Sequence, residues 1–481
     1  MIQRAKPLTA KICTFCVGHK KYWSQFEGLK ETLLGYHSDF TNKLDAYNVE
    51  VVDFGMVDSS ELSYEIAEKI NAENPDVIFC NMTTYATSSV FAPIMRYSTA
   101  PVVLVALQPL EKMDYTKANT RMQLENDNIC SVPEFMGVAI RLGKEVSDII
   151  SGTLYNDSKA DAQIAQWCSI GHVLHSIKNA RIAAMGHVME AMYDMHADFT
   201  TLTNAFGLHV PLLEIDDAVE RFEKVSEEEI KAFEDIIKAE FDMPEPKSDP
   251  ITRKLTDTDL RQAAIGAAAL HKLVEDYNLT GMAYYYEGKE DSIQQKVISS
   301  FVVGNSILNA KGVPMCGEYD VKTCIAMLIM DRLNIGGSFA ELHPFDFTAN
   351  AILVGHDGPH HIAVANGKPA LRSLTKFHGK PGCGASVEFK LKEGPITLLG
   401  VALDAQGKIK FITAEGESQE GEIPPTGNTN TRGVFGEDTH EFIKRWCMAG
   451  PTHHFALGIG HHSDTIAKLA KVLGIECTIV K

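Results

Sequence analysis

The stretch Met315–His356, MCGEYDVKTCIAMLIMDRLNIGGSFAELHPFDFTANAILVGH, contains the point at which the texture of the chain changes. Before Gly336–Gly337, short apolar runs alternate with segments long enough for helices, and after it apolar and polar residues alternate between glycine turns. The first texture is that of buried parallel strands covered by helices; the second is that of antiparallel β structure. Within the stretch, Glu318 stands just ahead of a helix predicted over 321–333, whose start Asp320 caps with a charge that suits the helix dipole. Glu341 follows the Gly-Gly turn, and His356 ends the strand-like run AILVG. Two carboxylates and an imidazole on separate element ends can converge on one point. Oxygen and nitrogen donors without thiolate suit Mn²⁺, Mg²⁺ or Co²⁺ better than a structural zinc. A fourth donor is offered downstream, in Gly450-Pro-Thr-His453-His454-Phe455. Glutamates and histidines beside glycines are commonly solvated loop residues. Glu318, flanked by apolar runs on both sides, reads instead as semi-buried and in need of a partner.

Working back from this stretch, residues 11–18, 49–55, 76–81 and 101–107 are short β-rich runs separated by the helix-length segments 22–46, 60–73 and 85–97. A long loop is expected over 119–137 and a helix over 134–153. A second α/β unit opens at RIAAMG near Ala180. It continues through a helix-like 188–205, the strand VPLLEI, the helix 226–240, the helix 257–277, the strand GMAYYY and the long segment 290–311. Working forward, the runs from SFAELHPFDF to KFITAEG are strands with a hairpin turn at Gln406-Gly407, followed by an amphipathic helix over 463–475 and a last strand ECTIVK. The expected fold is therefore α/β: two flavodoxin-like, doubly wound parallel-sheet domains at 1–177 and 178–335, then a mainly antiparallel β domain at 336–481, with functional loops at the carboxyl ends of the parallel strands.

The totals narrow the function. A chain of 481 residues exceeds one ordinary core. A formal net charge of −18 argues against a nucleic-acid partner, because phosphate binding needs a positive surface. No apolar run is long enough to span a bilayer, the amino terminus reads as a buried strand, and the cysteines sit singly in apolar runs, so a cytoplasmic protein with reduced thiols is expected. Cys13-Thr-Phe-Cys16 is a lone pair whose two thiols strand alternation would aim at opposite faces, a core feature. No strand is followed by GxGxxG, which disfavours a nicotinamide oxidoreductase.

The ordered motifs Gly317-Glu318-x-Asp320-x-Lys322-Thr323, Gly336-Gly337-x-Phe339-x-Glu341, Gly355-His356 and His453-His454, with His361-Ile-Ala and Lys368-Pro369, resemble L-arabinose isomerase and, more distantly, L-fucose isomerase. The resemblance implies that Glu318, Glu341, His356 and His454 hold a divalent ion, usually Mn²⁺, and that Glu318 and Glu341 are the acid/base pair. It also implies a homo-hexamer, with the 119–137 loop of one subunit entering another's site. Aldose–ketose isomerisation moves a proton between C1 and C2 through a cis-enediol, so one carboxylate must take the C2 proton while another group manages the hydroxyl proton. Lys20, Cys130, Asp320 and His453 are the positions expected to face the sugar. His343 is a candidate to stand behind the ligands, while His360, His361, His461 and His462 read as surface or hydrogen-bonded loop residues.

Two departures bear on the substrate. Arabinose isomerases carry a glutamine in the first loop where this chain has Lys20, and a histidine ahead of the Glu134-Phe135 pair where it has Cys130. Lys20 with Lys21 suits an anionic group such as a sulfonate, phosphate or carboxylate. The expected substrate is a pentose, a deoxy-hexose or an anionic, for example sulfonated, hexose. The reading from another class is a non-catalytic sugar-binding protein of two α/β domains, which would not need ionised carboxylates around a metal.

Overall fold

The computed structural model describes residues 2–189, 192–246, 251–357, 360–374, 376–377, 380–381 and 384–481. It divides into two compact units, residues 8–176 and residues 177–481 together with 1–7.

In the first unit, β1 (Lys11–Val17), β2 (Glu50–Val57), β3 (Val77–Met82), β4 (Val102–Gln108) and β5 (Asp148–Thr153) form a parallel sheet in the order β2-β1-β3-β4-β5. Every residue of β3 is buried, which is why its sequence is a continuous apolar run and does not alternate. Cys13 packs with Phe15 and Val17, whereas Cys16 packs with Leu29 and Leu33, so the two thiols occupy different clusters and both are free. Two expectations need correction here. The helix read over 134–153 is Val132–Arg141, closed by Gly143 in the left-handed region at φ +66°, and the remainder supplies the edge strand β5. Ser151 and Gly152 are weak strand formers, which hid β5. The 119–137 segment is not one loop: Asn119 accepts a hydrogen bond from the Met122 N–H at 3.0 Å and starts a helix over Thr120–Glu125, and Pro133 sits in the first turn of the next.

The second unit opens with β6 (Ile182–Met185), β7 (Leu212–Leu213), β8 (Thr252–Arg253), β9 (Gly281–Tyr284) and β10 (Met315–Cys316). Four of these form a parallel sheet in the order β10-β9-β6-β7. The run VPLLEI contributes only two residues to it, because a capping box between Glu214 and Asp217 turns the chain into the helix Ile215–Glu223. Of the segment read as a helix over 188–205, the described part is a short 3₁₀ turn, Tyr193–Met195, and the helix Phe199–Phe206; residues 190 and 191 lie outside the described residues.

The remaining strands are β11 (Gly336–Asp346), β12 (Ala351–Gly355), β13 (Ala370–Leu374), β14 (Lys376–Phe377), β15 (Lys380–Pro381), β16 (Ala385–Glu388), β17 (Gly394–Leu403), β18 (Ile409–Gln419), β19 (Thr431–Val434), β20 (Phe455–Ile459) and β21 (Glu476–Val480). Six of them pair around a ring, β17-β20-β11-β12-β19-β18 and back to β17, so the sheet closes into an antiparallel barrel without free edges in the ring. β21 adds to β18 in parallel, unlike the rest. β8 leaves the parallel sheet to pair with β13, which pairs in turn with β16, and β14 pairs with β15. The fold is thus mixed α/β, with parallel sheets followed by an antiparallel barrel.

Between the second parallel sheet and the barrel lies the helix Val321–Arg332, every residue of which is buried. It packs on β9 on one side and on β11, β17 and β20 on the other. This double cover explains why CIAMLIM carries no polar face. Gly337, at φ +108°, lets β11 start hard against this helix, where a Cβ would come within 2.7 Å of the Met327 carbonyl.

Candidate metal centre

Pairing register brings the site together at one end of the barrel. Glu341 on β11 stands opposite Gly355 on β12, so His356, the next residue, lies beside it. Ala340 pairs with Phe455 on β20, and one step beyond that pair are Glu341 and His454. Glu318 arrives from the parallel sheet, two residues past β10, in a turn where Glu318 and Tyr319 are both left-handed, at φ +60° and +63°. Two consecutive non-glycine residues in that region store strain, which persists only where the surroundings enforce it. The aromatic ring of Phe339 lies 4.4 Å from that of His356 and 4.3 Å from that of His454, packing both imidazoles.

The distances are those of a loose coordination shell. His454 Nε2 is 3.5 Å from Glu318 Oε2, and His356 Nε2 is 4.0 Å from an oxygen of Glu318 and 4.0 Å from an oxygen of Glu341. Two groups have all their donor atoms within 4.8 Å of one another: Glu341, His356 and His454, and Glu318, His453 and His454. Around an ion with arms of about 2.1 Å, octahedral donors stand about 3.0 Å apart when adjacent and about 4.2 Å when opposite. The separations fall in that range or slightly beyond it. More telling, Glu318 Oε2 and His454 Nε2 are both buried and neither has a hydrogen-bond partner. Buried polar atoms left unpaired are costly, and a cation between them would satisfy both. The donor set fits a divalent ion.

Each imidazole is held by its other nitrogen. His356 Nδ1 donates to the Asp357 carbonyl at 2.7 Å, and His454 Nδ1 donates to Asp320 Oδ2 at 3.2 Å, which in both rings leaves Nε2 to face the carboxylates. Asp320 is fully buried; it also accepts from the Thr323 N–H at 3.0 Å and from the Thr323 hydroxyl at 2.8 Å, capping the helix while orienting His454. Burial would raise its pKa, but the His454 hydrogen bond and the Lys322 charge outweigh it and hold the carboxyl at about 2. Burial pushes Glu318 above the ordinary carboxylate value despite the nearby histidines. His356 is pushed well below the imidazole value by burial, with His454 adding to the effect. Burial opposes the charged form of His454 as well, yet the Asp320 hydrogen bond and the Asp320, Glu318 and Glu341 charges carry it above the usual value.

The other expected positions divide. His453 is half-exposed, and its Nδ1 is 2.6 Å from Asp194 Oδ2. His343 Nε2 lies 3.8 Å from Glu341 Oε1. His360 and His361 are buried, not surface residues; His361 Nε2 is 3.3 Å from Asp331. His461 is exposed and lies 3.3 Å from Glu417. Lys20 and Cys130 belong to the first unit. Both are exposed, Lys20 on the 3₁₀ turn that follows β1 and Cys130 just ahead of the helix Val132–Arg141. Tyr22, on the same turn as Lys20, stands near Tyr85, Asp127 and Cys130, which join burial in raising its phenol pKa. Lys20 and Cys130 therefore share the carboxyl edge of the first sheet. Lys322 and Asp194 were not expected at the site. Lys322, fully buried, donates to the carbonyls of Asp194 at 2.9 Å and His196 at 3.4 Å. A lysine next to a capping aspartate in an otherwise apolar helix was the available sign; Asp194 had none, since it fell inside a segment read as helix.

No protein-family model matches the chain. Curated relatives cover most of it. It is 22% identical over 412 residues to L-arabinose isomerase of Oceanobacillus iheyensis, covering 83% of each chain. It is 21% identical over 459 residues to L-arabinose isomerase of Herpetosiphon aurantiacus, covering 90% of this chain and 89% of the relative. Sulfoquinovose isomerase of Alkalicoccus urumqiensis is 20% identical over 402 residues, covering 83% of this chain and 84% of the relative. The protein is an enzyme of the aldose–ketose isomerase class. Within that class the similarity to these relatives supports a divergent member of the L-arabinose isomerase family. Among the described residues, no helix is long and apolar enough to cross a membrane.

Proposed function

We propose that the chain is a metal-dependent sugar isomerase in which Glu318, Glu341, His356 and His454 hold a divalent ion, Mn²⁺ before Mg²⁺ or Co²⁺. The single observation that carries this reading is the facing pair of unpartnered buried atoms, Glu318 Oε2 and His454 Nε2, with Glu341 and His356 converging on the same point. When bound, the ion would offset the charge of both carboxylates and stabilise negative charge developing on the sugar oxygens. Glu318 and Glu341 are the acid/base pair. One carboxylate takes the C2 proton of the open-chain aldose, the resulting cis-enediol is reprotonated at C1, and the second carboxylate moves the hydroxyl proton. Asp320 serves this site by orienting His454, because its oxygens are engaged by Thr323 and His454. The strand orders β2-β1-β3-β4-β5 and β10-β9-β6-β7 support a flavodoxin-like arrangement for both parallel sheets. On a division at 1–177, 178–335 and 336–481, Glu318 comes from the central domain and the other three ligands from the last. A cytoplasmic setting is part of the same reading. So is a homo-hexamer sharing its sites between subunits; a fully active monomer in sedimentation would overturn that assembly.

The substrate is a pentose, a deoxy-hexose or an anionic hexose, and the exposed pair Lys20 and Lys21 favours the anionic choice. That one relative is a sulfoquinovose isomerase agrees with this choice. A lysine meeting an anion at a partly desolvated site contributes roughly 1.5–3 kcal/mol, or about ten- to a hundredfold in preference. Turnover of L-arabinose, L-fucose, D-galactose and a 6-sulfonated aldose, each with and without added Mn²⁺ after chelation, tests the reading. Activity should vanish with chelation and return with Mn²⁺, and Lys20→Gln should erase most of the preference for the sulfonated sugar. An unchanged preference in Lys20→Gln rules out the anion contact.

A further inference from the structure

His453 and His454 are adjacent in sequence, their ring centroids 3.9 Å apart, and the helix start at Asp320–Lys322 bears on both by different routes. Asp320 grips His454 directly. Lys322 grips the backbone of the 3₁₀ turn Tyr193–Met195, and that turn presents Asp194, whose Oδ2 accepts twice from His453, from its backbone N–H at 3.0 Å and from Nδ1 at 2.6 Å. The turn lies in the connection after β6, on the carboxyl side of that parallel strand, where α/β sheets place their functional loops. The two imidazoles thus stand side by side, each with Nδ1 tied to a carboxylate, but they differ in exposure. His454 is wholly buried among the ion-binding residues, whereas His453 keeps 36% of its side chain open while belonging to the same donor cluster as Glu318. A fixed acceptor at the open side of a cation-binding group is placed to meet a hydroxyl of an incoming polyol.

We propose that Asp194 is a positioning residue: it fixes His453 as the Nδ1–H tautomer, so that Nε2 accepts a hydrogen bond from a sugar hydroxyl beside Glu318. This rests on the isomerase reading for the identity of the ligand but not for the Asp194–His453 geometry. A single hydrogen bond of this kind, made equally in ground and transition states, acts on KM and leaves kcat alone. Asp194→Ala should therefore raise KM about three- to tenfold, with kcat and calorimetric Mn²⁺ affinity within about twofold of wild type. Asp194→Asn, whose carbonyl oxygen can still accept both N–H groups, should recover most of that loss. In a double-mutant cycle, Asp194→Ala should add nothing to His453→Gln, because both remove one contact. The idea is overturned if the two losses multiply, if Asp194→Ala lowers Mn²⁺ affinity as much as it raises KM, or if Asp194→Asn is no better than Asp194→Ala. Ring ¹⁵N shifts of the histidines, with His453 assigned through His453→Gln, give a readout that needs no turnover. Wild type should show His453 protonated on Nδ1, and an Nε2–H tautomer there refutes the proposal. If wild type isomerises no aldose while His453 is Nδ1–H, the isomerase reading fails and the Asp194 contact stands.

Discussion

Glu318→Gln and Glu341→Gln should each reduce isomerisation by roughly a thousandfold or more, because each removes both a ligand charge and one member of the acid/base pair, and general acid–base catalysis alone contributes 10²–10⁴-fold. Glutamine matches the volume and keeps one carbonyl oxygen, so packing is little disturbed. For Glu318 the stability consequence has a definite sign. Its carboxyl is buried and pushed above its ordinary value, so the charged form is a burden on the ion-free fold. A group raised in the folded state contributes stability only below its unfolded pKa and loses it as pH rises through the folded value. At neutral pH without metal, Glu318→Gln should therefore melt at or slightly above wild type. The melt separates lost chemistry from lost structure, and near-normal turnover in either variant would remove that residue from the acid/base pair.

That Glu318 and His356 follow the ends of separate elements was readable from the glycines and apolar runs around them, whereas Glu341, expected at such an end, stands midway along β11. That the three meet was not readable, because convergence depends on the register that sets Glu341 against Gly355 and Ala340 against Phe455, and no local pattern carries register. The closing of the ring was hidden for the same reason, because the long-range pairings of β20 with β11 and β17 carry no local signal. Alternation and the Gln406-Gly407 turn announce strands and a hairpin, and both are present, with Asp404 Oδ1 accepting from the Gln406 and Lys408 N–H groups at 2.8 Å each. The parallel pairing of β21 and the edge strand β5 escaped because short strands with polar or glycine positions carry little propensity, and their place is decided by the sheet they join. Asp194 was invisible for a further reason: its partner is His453, 259 positions away.

Asp331→Ala should be the most destabilising single change outside the site, by about 3–5 kcal/mol, the usual cost of stripping one partner from a buried ion pair. Asp331 lies at the end of the helix Val321–Arg332 with its side chain 1% exposed, and it accepts from Arg4 at 3.0 and 2.6 Å, from Arg332, and from His361 at 3.3 Å. Its loss would take a buried carboxylate from Arg332, which is itself buried and also donates to the Gly312 carbonyl at 3.0 Å. Arg4→Ala should cost only roughly 1 kcal/mol, because that guanidinium is partly solvated and screened. Burial would raise the Asp331 pKa, but the hydrogen bonds from His361 and Arg4 and the charge of Arg332 hold it well below the carboxylate range. A depressed folded pKa means that the unfolded chain takes up the proton first as pH falls. The contribution is complete above the unfolded value near 3.9 and drains away below it. Denaturant unfolding of wild type and Asp331→Asn between pH 7 and pH 2.5 reads this directly. The gap between them should be constant down to about pH 4 and then narrow, and a gap that keeps its size to pH 2.5 would show that the cluster stabilises by packing and not by charge.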